Sequence, residues 1–271
     1  MPLPVRSQRC IVISSLDSVV YCSGLCDFGQ GAKCRQIGNW PLGRLAIFQR
    51  TAILLWMFRN LELYQIVAVF VTLLLSMSVH EAMHAFTSHW LGDNTAHEQG
   101  RLTLNPLKHI NLVTTILLPV VMILAGLPPI FAAQPVPFNP DRVKYDEFGV
   151  ALIGVSGPLT NLALACLGGL VFRILPIGSA VMVDILEIFV VINVSLFVFN
   201  MIPFPPLDGS RVLYAFAPEP LQNVMRSLEQ MGFLAIMLFF ILIINVPAFG
   251  ATIGSVTETI SRLLLGLPMA I

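Results

Sequence analysis

Two histidines four residues apart, with a glutamate beside the first, point most directly to chemistry in this sequence: His80-Glu81-Ala82-Met83-His84. A helix returns to nearly the same face every four residues, so both imidazoles can reach one cation. That is the arrangement of a two-histidine zinc site, where the glutamate stands next to the coordination position kept for water. The same pattern also occurs as a solvated pair on soluble helices. Here it follows a run, residues 63–79, whose only polar side chains are Tyr64, Gln65, Thr72, Ser76 and Ser78. Unpartnered histidine and glutamate are costly on so apolar a segment, which favours a metal site.

A hydrolytic zinc takes three protein ligands and leaves one position open. Six residues after His84, where one soluble pattern places a third histidine, stands Trp90, and His89 is rotated off the ligand face. His97 and Glu98 remain reachable through a loop. Asp208 is the stronger candidate, lying in Pro203-Phe204-Pro205-Pro206-Leu207-Asp208-Gly209 at the end of an apolar run. Proline-rich unwinding at membrane depth is tolerated only where it is buried in protein or lines a cavity. The alternative for Asp208 is a turn cap before Gly209. Asn161 and Asn200 are polar residues in apolar helices, suited to interhelical hydrogen bonds; Asn161 could instead donate to a substrate carbonyl.

The elements that must position these residues are apolar. Of 271 residues 56% are hydrophobic and 11% charged, and the mean hydropathy is +0.82. A soluble domain carries about 25% charged residues, so the chain reads as an integral membrane protein. Fifteen basic and fifteen acidic residues cancel, which argues against a nucleic-acid partner. Five cysteines, an odd number, supply no disulfide framework. Spanning helices are expected over 63–85, 148–172, 183–201 and 231–246, and a short interfacial helix within 253–271. Residues 101–105 alternate like a short strand, and the prolines of 134–140 favour an extended segment. Residues 1–56 contain no spanning run and read as a disordered arm or an upstream extension, with Met57 as the start. The expected division is a tail of 1–56, a membrane domain of 57–250 and a C-terminal tail of 251–271.

Three motifs in order, His80-Glu81-x-x-His84, Gly157-Pro158-x-x-Asn161, and Asn200-x-x-Pro203 leading to Leu207-Asp208-Gly209, resemble the site-2 protease family of intramembrane zinc metalloproteases. The resemblance covers residues 57–246. It implies His80, His84 and Asp208 as ligands of one Zn2+, Glu81 as catalytic base, and Asn161 and Asn200 beside the bound peptide. It also implies that residues 101–140 supply an edge strand for an unwound substrate. Neither a PDZ insert nor a nucleotide-sensing module is recognisable. The fold class expected is an all-α polytopic bundle of about four to six transmembrane helices, with a re-entrant segment and short edge strands near the active site.

Topology follows from the ligands. If His84 and Asp208 meet, their helices finish on one side of the membrane, and the helix of Asn161 starts there. Residues 91–147 then begin and end on that side, which makes the proline-broken stretch 112–131 re-entrant, or a crossing that returns. Arg101, Lys108, Arg142, Lys144, Arg211 and Arg226 lie on this side, against Arg59, Arg173 and Arg262 opposite, counting from Met57. The positive-inside rule then turns the active site toward the cytoplasm of a multi-pass protein in the cell (inner) membrane. The function expected is a zinc endopeptidase cutting transmembrane protein substrates within the lipid bilayer. The alternatives are a non-proteolytic zinc-binding membrane protein and a metal or ion transporter. A transporter would more naturally show inverted repeats, and none is visible.

Overall fold

A computed structural model describes residues 10–15, 18–22, 62–108, 136–176 and 178–268. The re-entrant stretch expected at 112–131 lies outside the described residues, as does the start at Met57. Two short strands, β1 (Cys10–Ser15) and β2 (Ser18–Cys22), form an antiparallel hairpin within the N-terminal tail. Every other described regular element is helical.

Helix α1 (Leu63–Trp90) carries the His-Glu motif in its C-terminal third. At about 1.5 Å per residue it is about 42 Å long, more than the roughly 30 Å of a bilayer's hydrocarbon core. Ala68, Thr72, Ser76, His80, His84 and Ser88 are buried, one stripe at a spacing of four, while Val67, Phe70, Val71 and Leu75 are exposed. Small and polar residues face the protein and bulky apolar ones face outward, the distribution of a helix whose solvent is lipid. The helix runs to Trp90, past the 85 expected, before Gly92 turns the chain at a φ of 103°. A short helix α2 (Thr95–Glu98) follows.

Helix α3 (Asp146–Ile174) is central, packing on α1, α4 (Ala180–Asn200), α5 (Gly209–Phe216) and α8 (Pro247–Leu265). Its buried glycines let neighbouring backbones approach. A Cβ on Gly154 would meet Asp208 O at 3.0 Å and Arg211 Cβ at 2.9 Å, so the Asp208 segment lies directly on α3. On α4 the buried residues are Val190, Asn193 and Val194, one helical face. Ala165, Val190, Val194 and Leu265 form a core joining α3, α4 and α8. The helix expected at 253–271 thus begins earlier and is packed into the bundle.

The fourth expected span, 231–246, forms a single helix of only 13 residues. Amphipathic α6 (Glu219–Gln230) and apolar α7 (Phe233–Asn245) are separated at Met231 and Gly232, and the helices bend by 105° across the break. Gly232, at a φ of 53°, supplies the backbone conformation that stops α6. Among the described residues three helices, α1, α3 and α4, are long and apolar enough to cross a membrane, or four if the bent pair is one span.

Residues 101–105 pair with no strand among the described residues. Residues 136–139 form neither helix nor strand, and the stretch 136–144 is fastened at three points along and just past the end of α1. Val136 N–H donates to Glu81 Oε2 at 3.1 Å, Asn139 N–H to Asp93 Oδ2 at 2.8 Å, and Lys144 N–H to Leu91 O at 2.9 Å. Val136 packs with Ala85 and Ala96, while Phe138 lies against Leu91, Val143 and Ile153.

Candidate metal centre

His80 and His84 project from one face of α1 with their Nε2 atoms 3.0 Å apart. Asp208 comes from the N-terminal end of α5. It occupies the cap position yet makes no side-chain cap hydrogen bond. Its Oδ2 lies 3.0 Å from His80 Nε2 and 3.2 Å from His84 Nε2. The three atoms thus form a nearly equilateral triangle. Ligands about 2.0–2.1 Å from a tetrahedral zinc stand about 3.3 Å from one another, so this donor set fits a zinc ion with little movement.

The far side of each ligand is also held. His84 Nδ1 donates to Ile153 O at 2.7 Å. A carbonyl can only accept, so the hydrogen is on Nδ1 and the Nε2 lone pair faces the centre. His80 Nδ1 lies 2.6 Å from Asn161 Oδ1. Asp208 Oδ1 stands 3.7 Å from Arg211 Nη1, and that guanidinium lies over the Phe138 ring at 4.7 Å. Burial alone would raise the Asp208 carboxyl, but the adjoining His84 and His80 rings and the Arg211 guanidinium hold it well below the usual carboxylate range.

Gly157 of α3 faces this triangle with bare backbone. A Cβ there would come within 2.5 Å of His84 Nε2 and 2.6 Å of His80 Nε2. The sequence has left empty the volume that any larger residue would fill, immediately beside the ligand nitrogens. Glu81, one residue from His80, is half-buried and tied by Oε2 to Val136 N–H. Beside the triangle a cavity of about 650 Å3 opens between the 138–140 segment, Pro205, α5 and α6, lined in part by Arg211, Tyr214 and Met225. It shares Arg211 with the centre but does not include the histidines.

The sequence profile of peptidase family M50 matches residues 173–244. "Putative zinc metalloprotease YwhC" of Bacillus subtilis is 34% identical over 182 residues, 63% of this chain and 78% of that protein. The chain belongs to peptidase family M50, the site-2 proteases. "Putative zinc metalloprotease Rip2" of Mycolicibacterium smegmatis is 30% identical over 172 residues, 62% of this chain and 64% of that protein. Its namesake in Mycobacterium tuberculosis is 27% identical over 176 residues, again 62% of this chain and 64% of the relative. No solved structure matches the chain. This M50 peptidase is therefore a zinc metalloprotease, and its apolar helices make it an integral membrane protein.

In the M50 chain the other candidate ligands lie elsewhere. His97 stacks on His89 with centroids 5.5 Å apart, and Glu98 stands 3.9 Å from Arg142. Asn200 donates to Leu196 O on its own helix at 3.0 Å. Asn161 is fully buried, with Nδ2 directed to Asn193 Oδ1 at 3.2 Å and to Ser76 O at 3.4 Å. Three contributors escaped the sequence reading: the Ile153 carbonyl, the Val136 N–H and Asn193. The first two are main-chain atoms without a sequence signature. Asn193 carried a usable one, an amide within an apolar helix.

Proposed function

We propose that this chain is an intramembrane zinc endopeptidase that hydrolyses peptide bonds of transmembrane proteins, with Glu81 as general base. One observation carries the reading: His80 Nε2, His84 Nε2 and Asp208 Oδ2 converge within 3.2 Å, one residue from a carboxylate, on a helix otherwise apolar enough to span a bilayer. Zinc bound there supplies Lewis-acid activation of water and of the scissile carbonyl. Glu81 takes the proton as water attacks the carbonyl carbon, then delivers it to the departing amine nitrogen as the C–N bond breaks. Val136 N–H holds Oε2, which fixes the carboxylate and leaves Oε1 for the proton. The Arg211 guanidinium and the buried histidines keep Asp208 ionised as a ligand.

A transmembrane helix hides its carbonyls in internal hydrogen bonds, so a substrate must unwind before it is cut. Strand addition along residues 101–140 would offset the lost bonds, and the irregular 136–139 segment beside Glu81 is the described part nearest to that role. Asn200 is the second residue assigned to the bound peptide. Counted from Met57, six Arg and Lys on the active side against three opposite direct the centre to the cytoplasm of the cell (inner) membrane. The catalytic unit is residues 57–250, with 1–56 dispensable.

The test is Glu81→Gln, which keeps shape and removes the base. Reconstituted with a transmembrane substrate, the variant is expected to retain zinc and lose cleavage. Wild-type cleavage by it would remove Glu81 as the base, and a wild-type protein that binds zinc but cuts no such substrate would leave zinc binding without proteolysis.

A further inference from the structure

A chain of buried amides leads from the metal centre into the bundle. Asn193, on α4, is fully buried, and its Nδ2 donates to Phe189 O at 2.9 Å. Its Oδ1 accepts from Asn161 Nδ2 at 3.2 Å, and Asn161 Oδ1 in turn lies 2.6 Å from His80 Nδ1. The direction of this chain is fixed at its far end. A main-chain carbonyl accepts and cannot donate, so Phe189 O must face the amide nitrogen of Asn193. Asn193 then presents oxygen to Asn161, and Asn161 presents nitrogen to Asn193 and oxygen to His80. A second carbonyl, Ser76 O, stands at 3.4 Å from Asn161 Nδ2 and favours the same orientation only weakly. Only a hydrogen on His80 Nδ1 completes the sequence. That tautomer leaves the Nε2 lone pair directed at Asp208 and the cation.

We propose that Asn193 is a positioning residue of the zinc centre: from α4, and through Asn161, it sets the tautomer of His80. The proposal rests on the zinc-peptidase reading above. If the relay is cut, Asn161 can turn its NH2 toward Nδ1. His80 then carries its hydrogen on Nε2, where it cannot ligate. Groups that orient metal-bound histidines typically contribute about 10–100-fold to metal affinity. The same asparagine could instead serve only to hold α3 against α4, and the two roles give different results.

The experiment is a double-substitution cycle read as zinc affinity, by competition with a chromophoric chelator on the folded, detergent-purified full chain. Asn193→Ala is expected to weaken zinc binding by about 10–100-fold. Asn161→Asp offers His80 a side chain that accepts from either oxygen and has no wrong orientation. In that background Asn193→Ala is expected to leave zinc affinity unchanged, a coupling visible only if Asn193 acts through His80. Wild-type affinity of the Asn193→Ala protein, or an equal loss in both backgrounds, would overturn the proposal and leave Asn193 a helix-packing residue. Should the single variant not fold, Asn193→Asp supplies the test. It keeps the acceptor for Asn161 and is expected to bind zinc as wild type does; a large loss there overturns the proposal. A wild-type protein that binds no zinc would instead refute the underlying reading, a separate outcome.

Discussion

Gly157→Ala adds a single methyl group, and it should empty the metal centre. The new carbon would sit 2.5 Å from His84 Nε2 and 2.6 Å from His80 Nε2, whereas real β-carbons essentially never approach within 3.0 Å. The rings would therefore retreat by at least 0.5 and 0.4 Å to reach even that limit, or α3 would withdraw by as much. Metal–ligand distances tolerate about 0.2 Å. Withdrawal of α3 offers no escape, because it carries away Ile153 O and Asn161, which orient the two rings. Overpacking a tight site costs about 1–3 kcal/mol. Alanine for glycine within a helix returns about 1 kcal/mol. Thermal stability should therefore change little, while zinc affinity falls by about 100-fold, the upper end of the range for disturbed support of a metal ligand. Chelator competition on detergent-purified protein, with circular dichroism to confirm helix content, measures both. A folded Gly157→Ala protein with wild-type zinc affinity would refute the geometry on which the centre is built.

Other expectations follow from the same contacts. Asp208→Ala removes a ligand and should lower zinc affinity by at least about 10–100-fold; a mere cap would cost about 1 kcal/mol of stability and leave zinc in place, which a zinc titration distinguishes. Asp93 is buried and accepts from Thr95 N, Thr95 Oγ1 and Asn139 N. Burial raises its pKa, but these hydrogen bonds outweigh it and hold the carboxyl below its ordinary value. Its stabilisation should thus be complete above about pH 4 and lost as pH falls below that, and melting curves of Asp93→Asn should show less of this acid sensitivity. A chain beginning at Met57 is expected to insert and cleave normally, as membrane fractionation and a cleavage assay would report; failure to insert would make the tail part of the working protein.

Local spacing made part of this site readable and left the rest hidden. His80 and His84 were legible because four residues on a helix is a fixed distance, and the apolar run before them supplied the reason to expect a partner. Asp208 lies 124 positions from His84, so sequence could offer only its proline-rich, unwound setting as a reason to look there. For Asn161 two roles were open, and composition cannot choose between a substrate and a histidine as its partner. Helix ends moved where a single glycine decided them, at Gly92 and Gly232. The packing of α8 against α3 and α4 was not legible at all, because Leu265 and Ile260 look the same in an interfacial helix as in a core.

The hydrogen bond that holds Glu81 has its donor in the main chain, at Val136, between Pro135 and Pro137. Every amino acid except proline carries that N–H. An alanine scan would leave this N–H in place, and any side chain at 136 that still packs against Ala85 and Ala96 would keep the carboxylate fixed. What selection can act on is the path of the segment, set by the prolines and by the Asp93 anchor to Asn139. The Glu81 carboxylate is thus buffered against mutation at its nearest neighbour in the segment and vulnerable at residues that never approach it.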